Sequence, residues 1–308
     1  MSLLTAENRG VFVISVTPFH PDGSIDWDSL DRVTDFYIEQ GATGLTILGM
    51  MGEAPKLTQE ESREISRRVI ARAGKVPVVV GVSAPGLAAI SELSSEVMGL
   101  GAAGVMIAPP NTLRTDAQIA NYYRLACEAA GAETPVVLQD FPLATSVQID
   151  TALLGKIIEE LPQIVMLKHE DWPGLAKISA LRKAEAAGRR RISILCGNGG
   201  VFLPEEMQRG ADGAMTGFGY PEMLAEVVRL SDAGEIDRAH QIFNAYLPLV
   251  RYEQQPGVGL AVRKHVLAKR GAIASSAQRR PGAGLDAEAI AEVEALIARQ
   301  ERRLKELN

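Results

Sequence analysis

Eight short apolar runs, each followed by a longer amphipathic stretch, most tightly limit how this chain can fold. They are Val11–Val16, Gly44–Leu48, Pro77–Gly81, Gly104–Ala108, Pro135–Gln139, Ile164–Lys168, Ile192–Cys196 and Gly213–Thr216, spaced by roughly thirty residues apart from a shorter last interval. A strand covered on both faces reads as a near-continuous aliphatic run. Strict strand–helix alternation predicts a parallel α/β sheet, and eight units predict a closed (β/α)8 TIM barrel.

The stretches between the runs have helical signatures. Leu30, Val33, Phe36, Tyr37 and Ile38 recur at helical spacing and end at Gly41, a C-terminal cap. Thr58-Gln59-Glu60-Glu61 is a capping box ahead of Ile65 and Val69. Segments Ser91–Met98 and Asp116–Ala130 also close on glycine. From Pro221 the alternation stops and only helices follow: Met223–Ala233, Ile236–Glu253, Gly259–Arg270 and Asp286–Leu307. The first completes the eighth unit. We therefore expect a barrel over residues 1–233 and a C-terminal helical extension over 234–308.

Composition narrows the partners. A net charge of −6, with the basic runs Arg189–Arg191 and Arg279–Arg280 beside glycines, gives no footprint for a nucleic-acid backbone. Cys127 and Cys196 are too few and too far apart for a disulfide framework, which fits a reducing compartment. The chain has no basic-then-apolar leader and no apolar run of spanning length, so no membrane association and a cytoplasmic location are expected.

In a barrel, the loops after the strands' C-terminal ends meet over the mouth and carry the chemistry. Here those ends are Gly49-Met50-Met51-Gly52-Glu53, Ala108-Pro109-Pro110-Asn111, Gln139-Asp140-Phe141-Pro142, Lys168-His169-Glu170, Cys196-Gly197-Asn198-Gly199-Gly200 and Thr216-Gly217-Phe218-Gly219. Lys168 is the one cationic side chain among them. Loss of hydration disfavours the charged form of an amine and frees a nucleophilic lone pair, which can add to a ketone as a Schiff base. Gly49–Gly52 forms a tight turn in which main-chain N–H groups can approach an anion such as a carboxylate.

The order Gly49-x-x-Gly52-Glu53, a strand-5 end closing on Pro142, a strand-6 lysine and Gly197 after strand 7 resembles the dihydrodipicolinate synthase and N-acetylneuraminate lyase superfamily. Val16-Thr17-Pro18-Phe19 and Asp22-Gly23-Ser24-Ile25-Asp26 are similar to its opening. The resemblance implies a usually tetrameric barrel in which Lys168 forms a Schiff base with a pyruvate-like 2-oxo acid. The chain departs from the pattern at several positions. Met50 and Met51 stand where the family has two threonines, and Gln139 stands in place of the strand-5 tyrosine. Asn111 takes the strand-4 tyrosine position, and Ala144 that of the arginine found in the synthases.

A narrower resemblance is to the L-2-keto-3-deoxyarabonate dehydratase subgroup, which also lacks the tyrosine. It rests on Val137-Leu138-Gln139-Asp140-x-Pro142, Lys168-x-Glu170 with Pro173-Gly174, Gly210–Gly217 and Tyr246-Leu247-Pro248-Leu249.

These residues lead us to expect a Schiff-base lyase in which Lys168 is the nucleophile, Glu170 the base and Gln139 the residue that orients substrate or water. Gly49, Met50, Met51, Gly52, Asp140, Gly197 and Asn198 are expected to bind substrate. Period-2 alternation places positions 168 and 170 on one side of a strand. Dehydration of a 2-keto-3-deoxy sugar acid is the leading reaction, with an aldolase or a non-catalytic keto-acid-binding barrel as alternatives. No metal or cofactor is expected, because His20, His169, His240 and His265 are scattered and the strand ends hold no carboxylate cluster. A phosphate-handling site is disfavoured because the loops after strands 7 and 8 contain no basic residue.

Overall fold

A computed structural model describes residues 2–307. Eight strands, β1 (Gly10–Ile14), β2 (Gly44–Ile47), β3 (Val78–Gly81), β4 (Gly104–Ile107), β5 (Val136–Asp140), β6 (Ile164–His169), β7 (Ser193–Cys196) and β8 (Gly213–Thr216), pair in parallel around a closed barrel. Both β5 and β6 end one residue later than expected from sequence. The register pairs Gln139 with Lys168 and Asp140 with His169, which keeps the ladder intact to the strand ends.

The connecting helices are α1 (Trp27–Glu39), α2 (Gln59–Ala73), α3 (Leu87–Gly99), α4 (Asp116–Ala130), α5 (Pro142–Thr145), α6 (Thr151–Glu160), α7 (Leu175–Ala186) and α8 (Leu203–Gln208). At the start of α2, Thr58 Oγ1 accepts from Glu61 N at 3.1 Å and Thr58 N donates to the Glu61 carboxylate at 2.8 Å. Thr115 and Gln118 form the same box at α4.

Side-chain alternation divides the core in two. Phe12, Ile14, Val79, Met106, Val137, Met166, Leu195 and Met215 fill the lumen, and the intervening residues join the larger cluster beneath the helices. Glycine is required where strands close on one another. A Cβ at Gly213 would lie 1.9 Å from Gly10 O at the β8–β1 seam, and one at Gly81 would lie 2.4 Å from Leu48 O.

After α9 (Pro221–Asp232), helices α10 (Ile236–Glu253), α11 (Gly259–Lys269) and α12 (Ala287–Leu307) form the extension. No helix among the described residues is long and apolar enough to cross a membrane. The extension sends two buried cations back to the strand-end loops. Lys264 Nζ donates to Glu53 Oε1 at 2.5 Å, and Glu53 Oε2 accepts from Lys56 Nζ at 2.7 Å and Arg279 N at 3.2 Å. Arg263 bonds Glu253 and the carbonyl of Gly217. Glu53 closes the Gly49–Gly52 turn in a left-handed conformation, φ 57°.

Removing one partner of a buried ion pair strands the other charge. Lys264→Met should therefore cost roughly 3–5 kcal/mol of stability, seen as a lower urea midpoint with an unchanged slope. A loss below about 1 kcal/mol, the range of an exposed pair, would contradict this account of the contact.

Candidate active site

The inward-facing ends of β5 and β6 set Gln139 beside Lys168, and the backbone beyond β6 brings Glu170 back over the pair. Lys168 Nζ lies 2.9 Å from Glu170 Oε2, and Gln139 Nε2 donates to the same oxygen at 2.7 Å. All three are buried, at 5%, 6% and 3% exposure for Lys168, Glu170 and Gln139. This exclusion of water strengthens the ion pair. Glu170 is held on its far side as well. Asn198 Nδ2 donates to the Glu170 carbonyl at 3.0 Å, and Glu170 Cγ rests where a Cβ on Gly197 would come within 2.2 Å of it. Only glycine at 197 leaves room for this carboxylate.

Across the mouth, the Gly49–Gly52 turn is a single 3-10 turn over Met50–Gly52, tied back by Gly52 N to Gly49 O at 3.0 Å and by Thr17 Oγ1 to Gly52 O at 2.6 Å. Met50 is 44% exposed, while Met51 packs on the lumen cluster. Leu48, directly before the turn, has φ 54°, a strained value for a bulky residue. A cavity of about 490 Å³ opens between α2 and α3, beside Arg63 and Glu92, and reaches inward past this turn and Met106 to Gln139. Neither Lys168 nor Glu170 lines it.

One expected contact is corrected. Asp140 was placed among the substrate-binding residues, but it points away from the lumen. The pleat that turns Gln139 inward turns its neighbour outward. Asp140 is 0% exposed and its Oδ2 accepts from Lys177 Nζ of α7 at 2.7 Å. Lys177 also lies 2.7 Å from Asp171 and donates to the Ile149 carbonyl at 2.7 Å. Burial pushes the Asp140 carboxyl up to about 6, against the pull of Lys177. His169, also facing outward, is pulled down to about 4 by burial and then by Lys177, and its Nε2 lies 3.1 Å from Gly174 O.

Asn111 and Ala144 are exposed and lie outside the buried cluster. Lys177, Arg263 and Lys264 were not anticipated. Each also reaches a partner far along the chain, Lys177 to Asp140, Arg263 to Gly217 and Lys264 to Glu53, 37, 46 and 211 residues away, too far for helical or strand periodicity to reveal. Among the described residues no group of three or more His, Cys, Asp or Glu side chains is arranged to hold a metal ion.

A closed (β/α)8 barrel with a buried amine and carboxylate in contact at its mouth defines the class: a barrel enzyme equipped for Schiff-base chemistry. The profile of the dihydrodipicolinate synthetase family matches residues 7–300. The chain belongs to this family of Schiff-base lyases.

Three similar proteins indicate the range within it. An L-2-keto-3-deoxyarabonate dehydratase of Azospirillum brasilense is 31% identical over 301 residues, covering 96% of this chain and 95% of that protein. A 4-hydroxy-tetrahydrodipicolinate synthase of Sorangium cellulosum is 32% identical over 246 residues, covering 78% and 79%. The crystal structure of a protein titled dihydrodipicolinate synthase, from Rhodopseudomonas palustris, superposes with a TM-score of 0.96 at 56% identity, covering 97% of this chain and 100% of that one.

Behind the site, the outer face of β7 holds a second buried acid. Burial pushes the Glu206 carboxyl of α8 from 4.5 up to about 8, against a smaller pull from the Cys196 thiol. The folded chain therefore holds a proton there that the unfolded chain has released. Linkage then makes stability fall as pH rises from about 4.5 to 8. Glu206→Gln should remove that slope, gaining on the unsubstituted protein by up to about 1.4 kcal/mol per pH unit. Urea titrations across this window check it, and a pH-independent difference would contradict it.

Proposed function

We propose that the chain is a lyase in which Lys168 forms a Schiff base with a pyruvate-like 2-oxo acid, and that it dehydrates a 2-keto-3-deoxy sugar acid. The observation that carries this reading is the 2.9 Å contact between Lys168 Nζ and Glu170 Oε2 in a buried mouth. The proton that the amine must shed before attack has an acceptor already in place. Lys168 then adds to the C2 ketone, water leaves, and the iminium acidifies C3. Glu170 takes the C3 proton and the electrons settle in an enamine. Expulsion of the C4 hydroxyl, protonated by the same carboxylic acid, releases water and leaves a conjugated iminium whose hydrolysis frees the amine.

Gln139 cannot titrate in this range, so its role is to hold Glu170 Oε2 in line. The substrate carboxylate is assigned to the main-chain N–H groups of Gly49–Gly52, since Met50 and Met51 offer no hydroxyl. Gly197 and Asn198 line the site through Glu170.

Dehydration is favoured over synthase chemistry by two facts. The dehydratase relative aligns over 96% of this chain against 78% for the synthase, and Gln139 stands where a titrating hydroxyl would serve condensation. The aldolase alternative draws support from the 56% identity to the structure titled as a synthase. A homotetramer in the cytoplasm completes the reading, in keeping with two buried free cysteines.

Borohydride reduction in the presence of pyruvate should add mass at Lys168, and adduct mapping elsewhere would overturn the assignment. In Glu170→Gln, trapping should persist while C3 hydrogen exchange slows by about 10²–10⁴, the usual contribution of a positioned base. Unimpaired exchange would remove Glu170 from this role.

A further inference from the structure

Two buried charge clusters meet where β6 ends, and the chemistry proposed above uses only one of them. The other lies on the opposite side of the same strands. Lys177, in the first turn of α7, donates to Asp140 Oδ2 and to the Ile149 carbonyl at 2.7 Å each, and its Nζ lies 2.7 Å from Asp171 Oδ2. Lys177 is 7% exposed and Asp140 0%. Charges so buried are costly to separate, so the three side chains hold one another in place.

The segments tied together in this way are those that carry the site. Asp140 follows Gln139, Asp171 follows Glu170, and the Glu170 N–H donates to Asp140 O at 2.9 Å. Asp171 also lies in a tightly packed turn. A Cβ at Gly174 would fall 2.4 Å from both Asp171 O and His169 Nε2. A shift at Asp171 is therefore carried back to Glu170, whose Oε2 must stay 2.9 Å from Lys168 Nζ and 2.7 Å from Gln139 Nε2.

The proposed mechanism makes this second anchorage necessary. In the resting site the Lys168 ammonium attracts the Glu170 carboxylate, but that attraction ends once the amine has shed its proton, and again when the imine becomes a neutral enamine. At those points the carboxylate needs support that does not depend on Lys168. We propose that Lys177 and Asp171 are positioning residues for Glu170: the clamp from α7 to the loop after β6 keeps the carboxylate over Lys168 while the amine carries no charge. This rests on the Schiff-base reading above. The rival account is that the outer cluster stabilises the fold and nothing more.

Asp171→Ala opens the clamp at the loop and leaves Lys177 paired with Asp140, so the lysine is not stranded. For full-length protein with pyruvate, C3 hydrogen exchange per trapped imine should slow by about 10- to 100-fold, in the range that a misplacement of about 1 Å costs. Asp171→Asn, which keeps an oxygen for Lys177, should recover part of the loss. Borohydride trapping at Lys168 should reach the same extent in both variants. In a Glu170→Gln background, Asp171→Ala should slow exchange no further, because residues that act through one group are not additive. Unchanged exchange in Asp171→Ala overturns the proposal in favour of a structural cluster. Equal slowing in both backgrounds also overturns it, since the effect would not pass through Glu170. If Glu170→Gln by itself leaves exchange unimpaired, the underlying reading of the base fails first; if it slows exchange and Asp171→Ala does not, this inference alone fails.

Discussion

Barrel closure is the constraint from which the site follows. Eight parallel strands can shut only if β8 reaches β1, and there Gly10 and Gly213 face each other where a Cβ would strike the opposing backbone. Once closed, the eight C-terminal ends converge, and a side chain on any strand has a neighbour fixed by register. Gln139 meets Lys168 for this reason alone: they are partners across the β5–β6 ladder.

The same pleat gives each strand end two environments. Lys168 and Gln139 face the lumen, while His169 and Asp140 face α7, and each side carries its own buried charge network. Lys177 neutralises the outer carboxylates and ties the loop that carries Glu170 to β5. On the other side of the mouth, Lys264 does the same for Glu53 and the Gly49–Gly52 turn. Buried charges of this sort add little net stability as pairs, but they hold a loop in one place because separating them is costly. The extension is thus part of how the mouth is built.

With Met50 and Met51 at the turn and Gln139 beside Lys168, the mouth has few side chains that can move a proton. The Glu170 carboxylate contacts the Lys168 amine directly and is fixed by Gln139 and by the space above Gly197, while Asn198 holds the Glu170 carbonyl.

Strand and helix periods are local properties of the chain, so the barrel, the capping box at Thr58 and the four C-terminal helices were all legible in sequence, nearly to the residue. Lys168, Gln139 and Glu170 stand out in the sequence because a charged or polar residue closing an aliphatic run is unusual and two-residue spacing puts 168 and 170 on one side, and the structure brings the three into contact. Asp140 was misplaced because, beside Gln139 at a strand end, nothing in composition tells which of the two faces inward. Only the register resolves that. Lys177, Arg263 and Lys264 could not be placed by spacing, since what matters about them is proximity across the closed barrel. Local pattern determined the elements and singled out the Lys168 amine; which charges surround that amine was decided by long-range packing, where burial forces each ion to find a partner regardless of its distance along the chain.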